Sequence, residues 1–175
     1  MTGWTPAEVT GLANIVAIAA GSGQGTYGVS AAVREDGTLW VWGSGSSAMM
    51  GNGVRNPTPD EPGGRNLLPL QVKGIAGAKA AAVGAGHIAA LLNDGSVRAW
   101  GMNGYGELGL GATSSYEAVP VRVPGLANVA TLRLGGYNSY AIKSDGTLWI
   151  SGFGLSSSRG ILSRHLAVPT RLDLP

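Results

Sequence analysis

The sequence predicts an all-β protein made of repeated small antiparallel sheets, on the strength of three observations. Its 175 residues include 30 glycines and 9 prolines, and only 13% of the residues are charged. This composition is typical of short strands joined by tight turns, because exposed helices usually carry more Glu, Lys and Arg. The other two observations are phrases that recur along the chain, one typical of a hairpin and one of a turn leading into a strand.

The hairpin phrase occurs three times, each time as an apolar run, an Asp-Gly pair and a second apolar run. The turn residues are Asp36, Gly37, Asp94, Gly95, Asp145 and Gly146. An Asp-Gly pair supplies the two positive-φ positions of a type I′ turn, so we expect the flanking strands to pair. In the first copy, strand alternation places Leu39 and Val41 on one face and Trp40 and Trp42 on the other.

The second phrase, P-x-x-V-x-G-[LI]-A, begins at Pro6, Pro69 and Pro120, and a fourth copy starts at Pro169. One small sheet cannot bury both of its faces alone, so the repetition indicates blades or solenoid turns that stack on one another. The expected organisation is one domain over residues 1–175, with repeats at about 21–83, 84–134 and 135–175 and with 1–20 as a complementing strand segment.

Residues 104–109 form a literal G-x-G-x-x-G, the spacing of dinucleotide-binding loops. Such a loop opens a helix, whereas residues 110–125 contain two prolines and no helical period. The Ala-rich stretch 76–92 also favours strand over helix, because three glycines interrupt it and its aligned copies are rich in β-branched residues. We therefore expect these glycines to serve tight loops, and we expect no nucleotide or other cofactor.

The repeats resemble the one named for the regulator of chromosome condensation, whose pattern is G-x-x-H-S-x-A-L-x-x-D-G-x-[VL]-x-x-W-G-x-N-x-x-G-Q-L-G-x-G, then P-x-x-V. The third repeat departs from it at Asn138, in place of His, and at Ser151, in place of Trp, and the first carries insertions within 21–28 and 47–68. The resemblance implies a β-propeller of four-stranded antiparallel blades. The middle repeat matches the pattern at Gly84, His87, Ala90, Leu91, Asp94, Gly95, Val97, Trp100, Gly101, Asn103, Gly106, Glu107, Leu108, Gly109, Gly111 and Pro120.

The resemblance also implies an incomplete ring, because three blades cannot surround an axis and closed propellers hold about four to eight. We therefore expect the chain to associate head to tail with copies of itself, and two copies of three repeats would give six blades. The alternative is that the three blades pack on a different protein or belong to a longer polypeptide.

The sequence lacks the residue patterns of an enzyme. It contains no cysteine and two histidines. His87 falls at the repeat histidine, which the resemblance assigns to packing between blades, and His165 has no acid beside it in the sequence. It offers no zinc spacing, no calcium loop and no Ser-His-Asp order with a nucleophile elbow. We expect a non-enzymatic protein that binds no metal.

Charge and hydropathy exclude two classes of partner. The net charge is +2 and the basic residues are scattered, so nucleic acid is not expected to bind. The apolar stretches 12–20 and 80–86 are shorter than the roughly 18–20 residues that a bilayer requires, and residues 1–11 do not resemble a secretory signal. We expect a soluble protein without membrane insertion, cytoplasmic or, if delivered by another route, on a surface or virion.

Binding residues are expected in the loops of the blades. Tyrosine in a loop on a rigid scaffold offers contact area at low entropic cost, and long polar loops such as the insertions of the first repeat often carry function. The candidates are Tyr27, Tyr105 and Tyr137, with Arg55, Arg65 and Arg159 as rim contacts. The alternative is that these side chains are partly buried anchors of their loops.

These observations favour a scaffold that self-associates and binds another protein or a glycan. One alternative is a structural or glycan-attachment component of a bacterial surface or phage particle, which the composition permits. Another, implied only by the resemblance, is guanine-nucleotide exchange or inhibition of an enzyme.

Overall fold

The described part of the chain consists of β-strands arranged in three sheets. In the computed structural model, the described residues are 5, 7–22, 28–54, 65–153 and 165–173, without the side chain of Arg65. They contain twelve strands, a 3₁₀ turn at Ser46–Ala48 and no α-helix. Each sheet has four antiparallel strands. This confirms the predicted all-β fold and the four-stranded blades.

Each sheet forms one blade, and its strands lie side by side in chain order. Blade 1 contains β1 (Ile15–Ser22), β2 (Gly28–Arg34), β3 (Leu39–Ser44) and β4 (Arg65–Gln71). Blade 2 contains β5 (Ala78–Val83), β6 (His87–Leu92), β7 (Val97–Asn103) and β8 (Ser114–Arg122). Blade 3 contains β9 (Val129–Leu134), β10 (Asn138–Lys143), β11 (Leu148–Gly152) and β12 (Leu166–Leu172).

The blades begin one strand earlier than the repeats predicted from the sequence at 21–83, 84–134 and 135–175. Within the segment 1–20, which we expected to act as a complementing strand, residues 15–20 belong to β1 and pair with β2 of the same chain. The reason is that the second sequence phrase spans a blade junction. In the copies at Pro69 and Pro120, the proline lies in the last strand of one blade, and the G-[LI]-A turn leads into the first strand of the next blade.

The Asp-Gly turns connect the second and third strands of each blade, but the predicted type I′ geometry is wrong. Only the glycine has a positive φ, +77° at Gly37, whereas Asp36 does not. The Gly37 amide donates to the Arg34 carbonyl at 2.9 Å, and the Arg34 amide donates to the Thr38 carbonyl at 2.9 Å. This is a type I turn followed by a glycine bulge.

The aspartate of each turn accepts hydrogen bonds from the residue two positions later. Asp36 Oδ1 accepts from the Thr38 hydroxyl at 2.6 Å and from the Thr38 amide at 2.9 Å. These bonds lower the pKa of Asp36, the hydroxyl having the larger effect. Asp94 with Ser96, and Asp145 with Thr147, repeat the arrangement. The aspartate is therefore selected as the acceptor that closes the turn.

Two apolar cores hold the blades together, one on each face of blade 2. Strand alternation sends Leu39 and Val41 of β3 toward blade 2, and Trp100 of β7 toward blade 1. Val97 and Ala99 of β7 point the other way, toward blade 3. We call the contact between blades 1 and 2 seam 1–2, and the contact between blades 2 and 3 seam 2–3.

The outermost strand of each blade contains a proline next to a bulge. Pro69, Pro120 and Pro169 lie where the pairing register with the third strand shifts. Proline has no amide hydrogen to donate to a further strand, so it blocks the edge against backbone pairing. This explains physically why the P-x-x-V phrase recurs.

Among the described residues, no helix has the length and apolar character needed to span a membrane.

Candidate interaction site at the loop end of the blades

The connections between strands divide between the two ends of the blades, as antiparallel order requires. The Asp-Gly turns share one end, which we call the turn end. Loops from the first to the second strand and from the third to the fourth strand share the opposite end, the loop end. Its described loop residues include 45–54, 84–86, 104–113 and 135–137.

Four rings meet at the loop end of blades 2 and 3, and we call them the aromatic cluster. Tyr105 lies at its centre, with its ring centroid 5.2 Å from that of Tyr137, 5.2 Å from that of Phe153 and 4.9 Å from that of His165. The interplanar angles of 67°, 89° and 86° are edge-to-face arrangements, which ring quadrupoles favour. Three separate loops of two blades contribute these rings.

The aromatic cluster is open to solvent on its outer side. Tyr137 is 38% exposed and Phe153 is 46% exposed, and His165 is also exposed, while Tyr105 is half-buried beneath them. Exposed aromatic rings that are already packed on one another lose little entropy on binding. They are therefore suited to anchor a partner.

Hydrogen bonds fix the loop that carries Tyr105. The Tyr105 amide donates to Glu107 Oε2 at 2.8 Å, and the Leu108 amide donates to Asn103 Oδ1 at 3.2 Å. Gly106 has φ +80°, and a Cβ there would lie 2.6 Å from the Ala167 Cα of blade 3. The loop therefore requires glycine at this position to approach blade 3.

The other two loops of the aromatic cluster are tied to each other. The Phe153 amide donates to the Tyr137 carbonyl at 2.9 Å. The Asn138 side-chain amide donates to the Phe153 carbonyl. The backbone beneath the exposed rings is thus held in place before any partner binds.

Glu107 is a carboxyl group buried under the aromatic cluster. Its side chain is inaccessible to solvent, and its Oε1 has no hydrogen-bond partner among the described residues. Burial raises the pKa of Glu107 above its ordinary value, against the smaller lowering effect of hydrogen bonds from backbone amides, that of Tyr105 included. The repeat pattern has Gln at this position, so Glu107 occupies a place that suits a neutral side chain.

His87 is, like Glu107, a buried titratable side chain, and it lies in seam 2–3. The Ser139 hydroxyl donates to the Glu107 carbonyl at 2.7 Å, so His87 Nε2, 3.0 Å from Ser139 Oγ, acts as the donor of that pair. Burial lowers the pKa of His87 from 6.5 to about 4, and its Nδ1 has no partner among the described residues. A neutral histidine enclosed in this way stabilises the seam and has no access to a substrate.

The structure brings together two of the predicted binding residues, Tyr105 and Tyr137. Arg65 begins β4, and its side chain is not described. Tyr27, Arg55 and Arg159 lie outside the described residues.

Sequence reasoning missed Phe153 and His165 as members of the aromatic cluster. Phe153 is the only phenylalanine of the chain and directly follows the glycine that closes a third strand. That position, in the same kind of loop as Tyr105, is the signal that could have identified it. His165 follows a segment outside the described residues, and nothing in the sequence links it to Tyr105.

Within the described residues, no three His, Cys, Asp or Glu side chains converge in a way that could hold a metal ion. The three packed four-stranded blades, with structured loops at one end, define the fold class as that of β-propeller blades.

Two profiles of the regulator of chromosome condensation (RCC1) repeat match the chain, at residues 94–142 and at residues 78–107. The chain belongs to the RCC1 repeat family, as its resemblance to the repeat pattern indicated. The RCC1 domain-containing protein RUG3, mitochondrial, of Arabidopsis thaliana is 32% identical over 125 residues, covering 69% of this chain and 26% of the relative. Protein pim1 of Schizosaccharomyces pombe is 28% identical over 187 residues, covering 97% of this chain and 33% of the relative.

Solved structures show the same fold. Prp20p of Saccharomyces cerevisiae, described with its binding to Gsp1p and histones, superposes with a TM-score of 0.76 and 23% identity, over 97% of this chain and 41% of that one. Human WBSCR16 superposes with a TM-score of 0.73 and 24% identity, over 93% of this chain and 40% of that one. This chain therefore spans less than half the length of these relatives.

Proposed function

We propose that this chain is a non-enzymatic scaffold that binds another protein through the aromatic cluster and associates head to tail with copies of itself. The observation that carries the proposal is the aromatic cluster itself. It gathers four rings from three loops, three of the rings exposed, onto a base of two packed blades. The binding of Gsp1p and histones described for Prp20p supports a protein-binding role for this fold.

The polar groups next to the aromatic cluster favour a protein partner over a glycan. Sugar hydroxyls need polar side chains beside the stacking ring. Glu107 is buried, and the Asn138 amide already donates to the Phe153 carbonyl. Neither Glu107 nor the Asn138 amide is therefore free to bind a sugar hydroxyl, whereas the exposed rings of Tyr137 and Phe153 suit an apolar or aromatic anchor of a peptide.

Selection of a displayed random peptide library against the immobilised chain tests the binding role. We expect enriched peptides to lose binding by roughly tenfold or more to Phe153→Ser and Tyr137→Ser, since aromatic anchors carry most of the energy of such contacts. Lys73→Ser, an exposed change outside the loop end, is the matched control. Peptides that bind both aromatic variants as well as the parent, or a glycan array that binds where peptides do not, would overturn the role of the cluster.

The outer faces of the array support the self-association. Blade 1 and blade 3 each have one face that packs against blade 2 and one face that no other described sheet covers. On these outer faces Ile18 is 79% exposed and Ile142 is 43% exposed. Apolar β faces of this kind are stable when another sheet covers them.

A further inference from the structure

We propose that the outer face of blade 1 binds the outer face of blade 3 of a second copy, with Trp42 at the centre of the contact. The inference rests on the proposed self-association and names its two surfaces. Because blade 1 of one copy meets blade 3 of the next, the contact is heterologous, and copies add in one direction until the ring closes. Two copies close six blades, within the range of about four to eight that propellers adopt.

The two seams inside the chain follow one rule. In seam 1–2, the Trp100 indole N–H donates to the Met49 carbonyl at 2.9 Å. In seam 2–3, the Ser151 hydroxyl, at the position equivalent to Trp100, donates to the Glu107 carbonyl at 3.1 Å. In both, a side chain from the third strand of one blade bonds the loop that follows the third strand of the blade before it.

Trp42 occupies the equivalent position in blade 1, on the outer face. Its side chain is only half-buried, and its indole N–H has no partner among the described residues. The neighbouring Ile15 and Ile18 hold the positions of Ala78 and Ala81, which pack in seam 1–2. A groove of about 470 Å³ runs beside Trp42 and is lined mainly by apolar residues, among them Val9, Leu12, Ile15, Ile18, Ala20 and Ala32.

The outer face of blade 3 has the complementary composition. Ser139 and Ser151 bond the Glu107 carbonyl of blade 2, so Ile142 and Leu148 on the same strands point outward. Their equivalents in blade 1 are Val33 and Leu39, and both are fully buried against blade 2. Blade 3 thus presents the kind of surface that blade 1 buries in seam 1–2.

A backbone hydrogen bond also connects successive blades at their outer strands. The Gly53 amide of blade 1 donates to the Ala118 carbonyl at 2.9 Å, and the Gly111 amide of blade 2 donates to the Ala167 carbonyl at 2.7 Å. Leu67 holds the equivalent position in β4, is 84% exposed, and receives no loop amide from the described residues. A preceding blade from a second copy would cover it.

Light scattering on two charge variants tests the two surfaces. Ile18→Asp spoils only the outer face of blade 1, and Ile142→Asp spoils only that of blade 3. We expect each variant alone to have a mass of 17.6 kDa. An equal mixture should form a dimer of about twice that mass, because one intact face of each kind remains. Leu68→Asp, at a position 70% exposed on the blade edge, is the control that should associate as the parent does.

Trp42→Phe removes the indole N–H and part of the ring, keeps an aromatic side chain and adds no charge. We expect it to raise the dissociation constant of the association by roughly fivefold to tenfold, the usual effect of losing one hydrogen bond. Folding of every variant is checked by its β-sheet circular dichroism. A parent that associates while Ile18→Asp and Ile142→Asp associate equally well, or a mixture that stays monomeric, would overturn the assignment of the faces and leave self-association standing. A monomeric parent would contradict the self-association itself.

Discussion

Seam 1–2 and seam 2–3 solve the same packing problem with different chemistry. Seam 1–2 closes around the fully buried indole of Trp100. Seam 2–3 has Ser151 at that position, and two serine hydroxyls converge on the Glu107 carbonyl with His87 behind them. A cavity of about 20 Å³ remains in seam 2–3, large enough for about one water molecule.

The comparison shows a constant acceptor and a variable donor: in both seams the acceptor is a backbone carbonyl in the loop after the third strand of the preceding blade. An indole N–H and a serine hydroxyl both satisfy that carbonyl. The consequence is a division of properties. Seam 1–2 is built around an apolar core, whereas seam 2–3 contains two buried titratable groups, His87 and Glu107, and supports the aromatic cluster.

The largest expected loss of stability comes from giving seam 1–2 the serine that seam 2–3 has at the equivalent position. Trp100→Ser removes a fully buried indole and its hydrogen bond to Met49. We expect the free energy of unfolding, measured with urea, to fall by about 3–5 kcal/mol. Trp149→Ser is the control, since Trp149 is half-buried and its indole donates only to Thr147 of its own turn. Equal losses for the two variants would contradict the central role of Trp100.

The next effect is a pH dependence that seam 2–3 confers. The pKa of His87 is about 4 in the folded chain, whereas its ordinary value, which applies to the unfolded chain, is 6.5. Below pH 6.5 the unfolded chain therefore binds a proton that the folded chain does not. The contribution of neutral His87 to the free energy of unfolding is therefore fully present above that pH and is lost as the pH falls toward 4. Between about pH 7 and about pH 5 we expect a loss of about 2 kcal/mol.

His87→Gln provides the comparison for that pH dependence. The raised pKa of Glu107 acts in the opposite direction, because the folded chain then binds the proton more readily as the pH falls. The quantity to measure is therefore the difference between the parent and His87→Gln in their loss of unfolding free energy from about pH 7 to about pH 5. Equal losses in the two proteins would show that His87 is not held neutral by the seam.

A smaller effect is expected from Ser139→Ala. The change leaves the buried His87 Nε2 hydrogen without its acceptor, which costs about 1–3 kcal/mol of unfolding free energy. Ser30→Ala is the matched control, since Ser30 has the equivalent position on the outer face of blade 1. If urea unfolding shows a larger loss of unfolding free energy for Ser30→Ala than for Ser139→Ala, the hydrogen bonds from His87 to Ser139 and from Ser139 to the Glu107 carbonyl do not have this role.

The smallest effect is expected from Ser151→Ala. The Glu107 carbonyl keeps its bond from Ser139, so only one of two donors is lost. We expect a loss of about 0.5–1 kcal/mol in the same urea titration. A loss larger than that of Ser139→Ala would show that Ser151 is the principal donor of seam 2–3.

Repetition in the sequence predicted the sheets, because hairpins depend on local residues. The Asp-Gly pairs and the alternating apolar residues are enough to define them. The turn type was wrong because the preference of Asp-Gly for a type I′ turn was assumed, whereas Asp36 instead serves as an acceptor for Thr38. The observed blades also begin one strand earlier than the predicted repeats, because a repeating sequence does not indicate which strand is the first of a blade.

The candidate site could be predicted only in part. Tyr105 and Tyr137 are visible in the sequence as tyrosines in loops. Their contact with Phe153 and His165 depends on how blade 3 is placed against blade 2. That placement is set by Gly106 against Ala167 and by the bonds to the Glu107 carbonyl, which no local pattern specifies.

The mass of the chain in solution, measured by light scattering over a wide range of concentrations, tests the central claim most directly. If the outer faces of blades 1 and 3 are blade-to-blade surfaces, the mass rises with concentration to a multiple of 17.6 kDa and then stops where the ring closes. A folded protein that stays at 17.6 kDa at every concentration would contradict the claim.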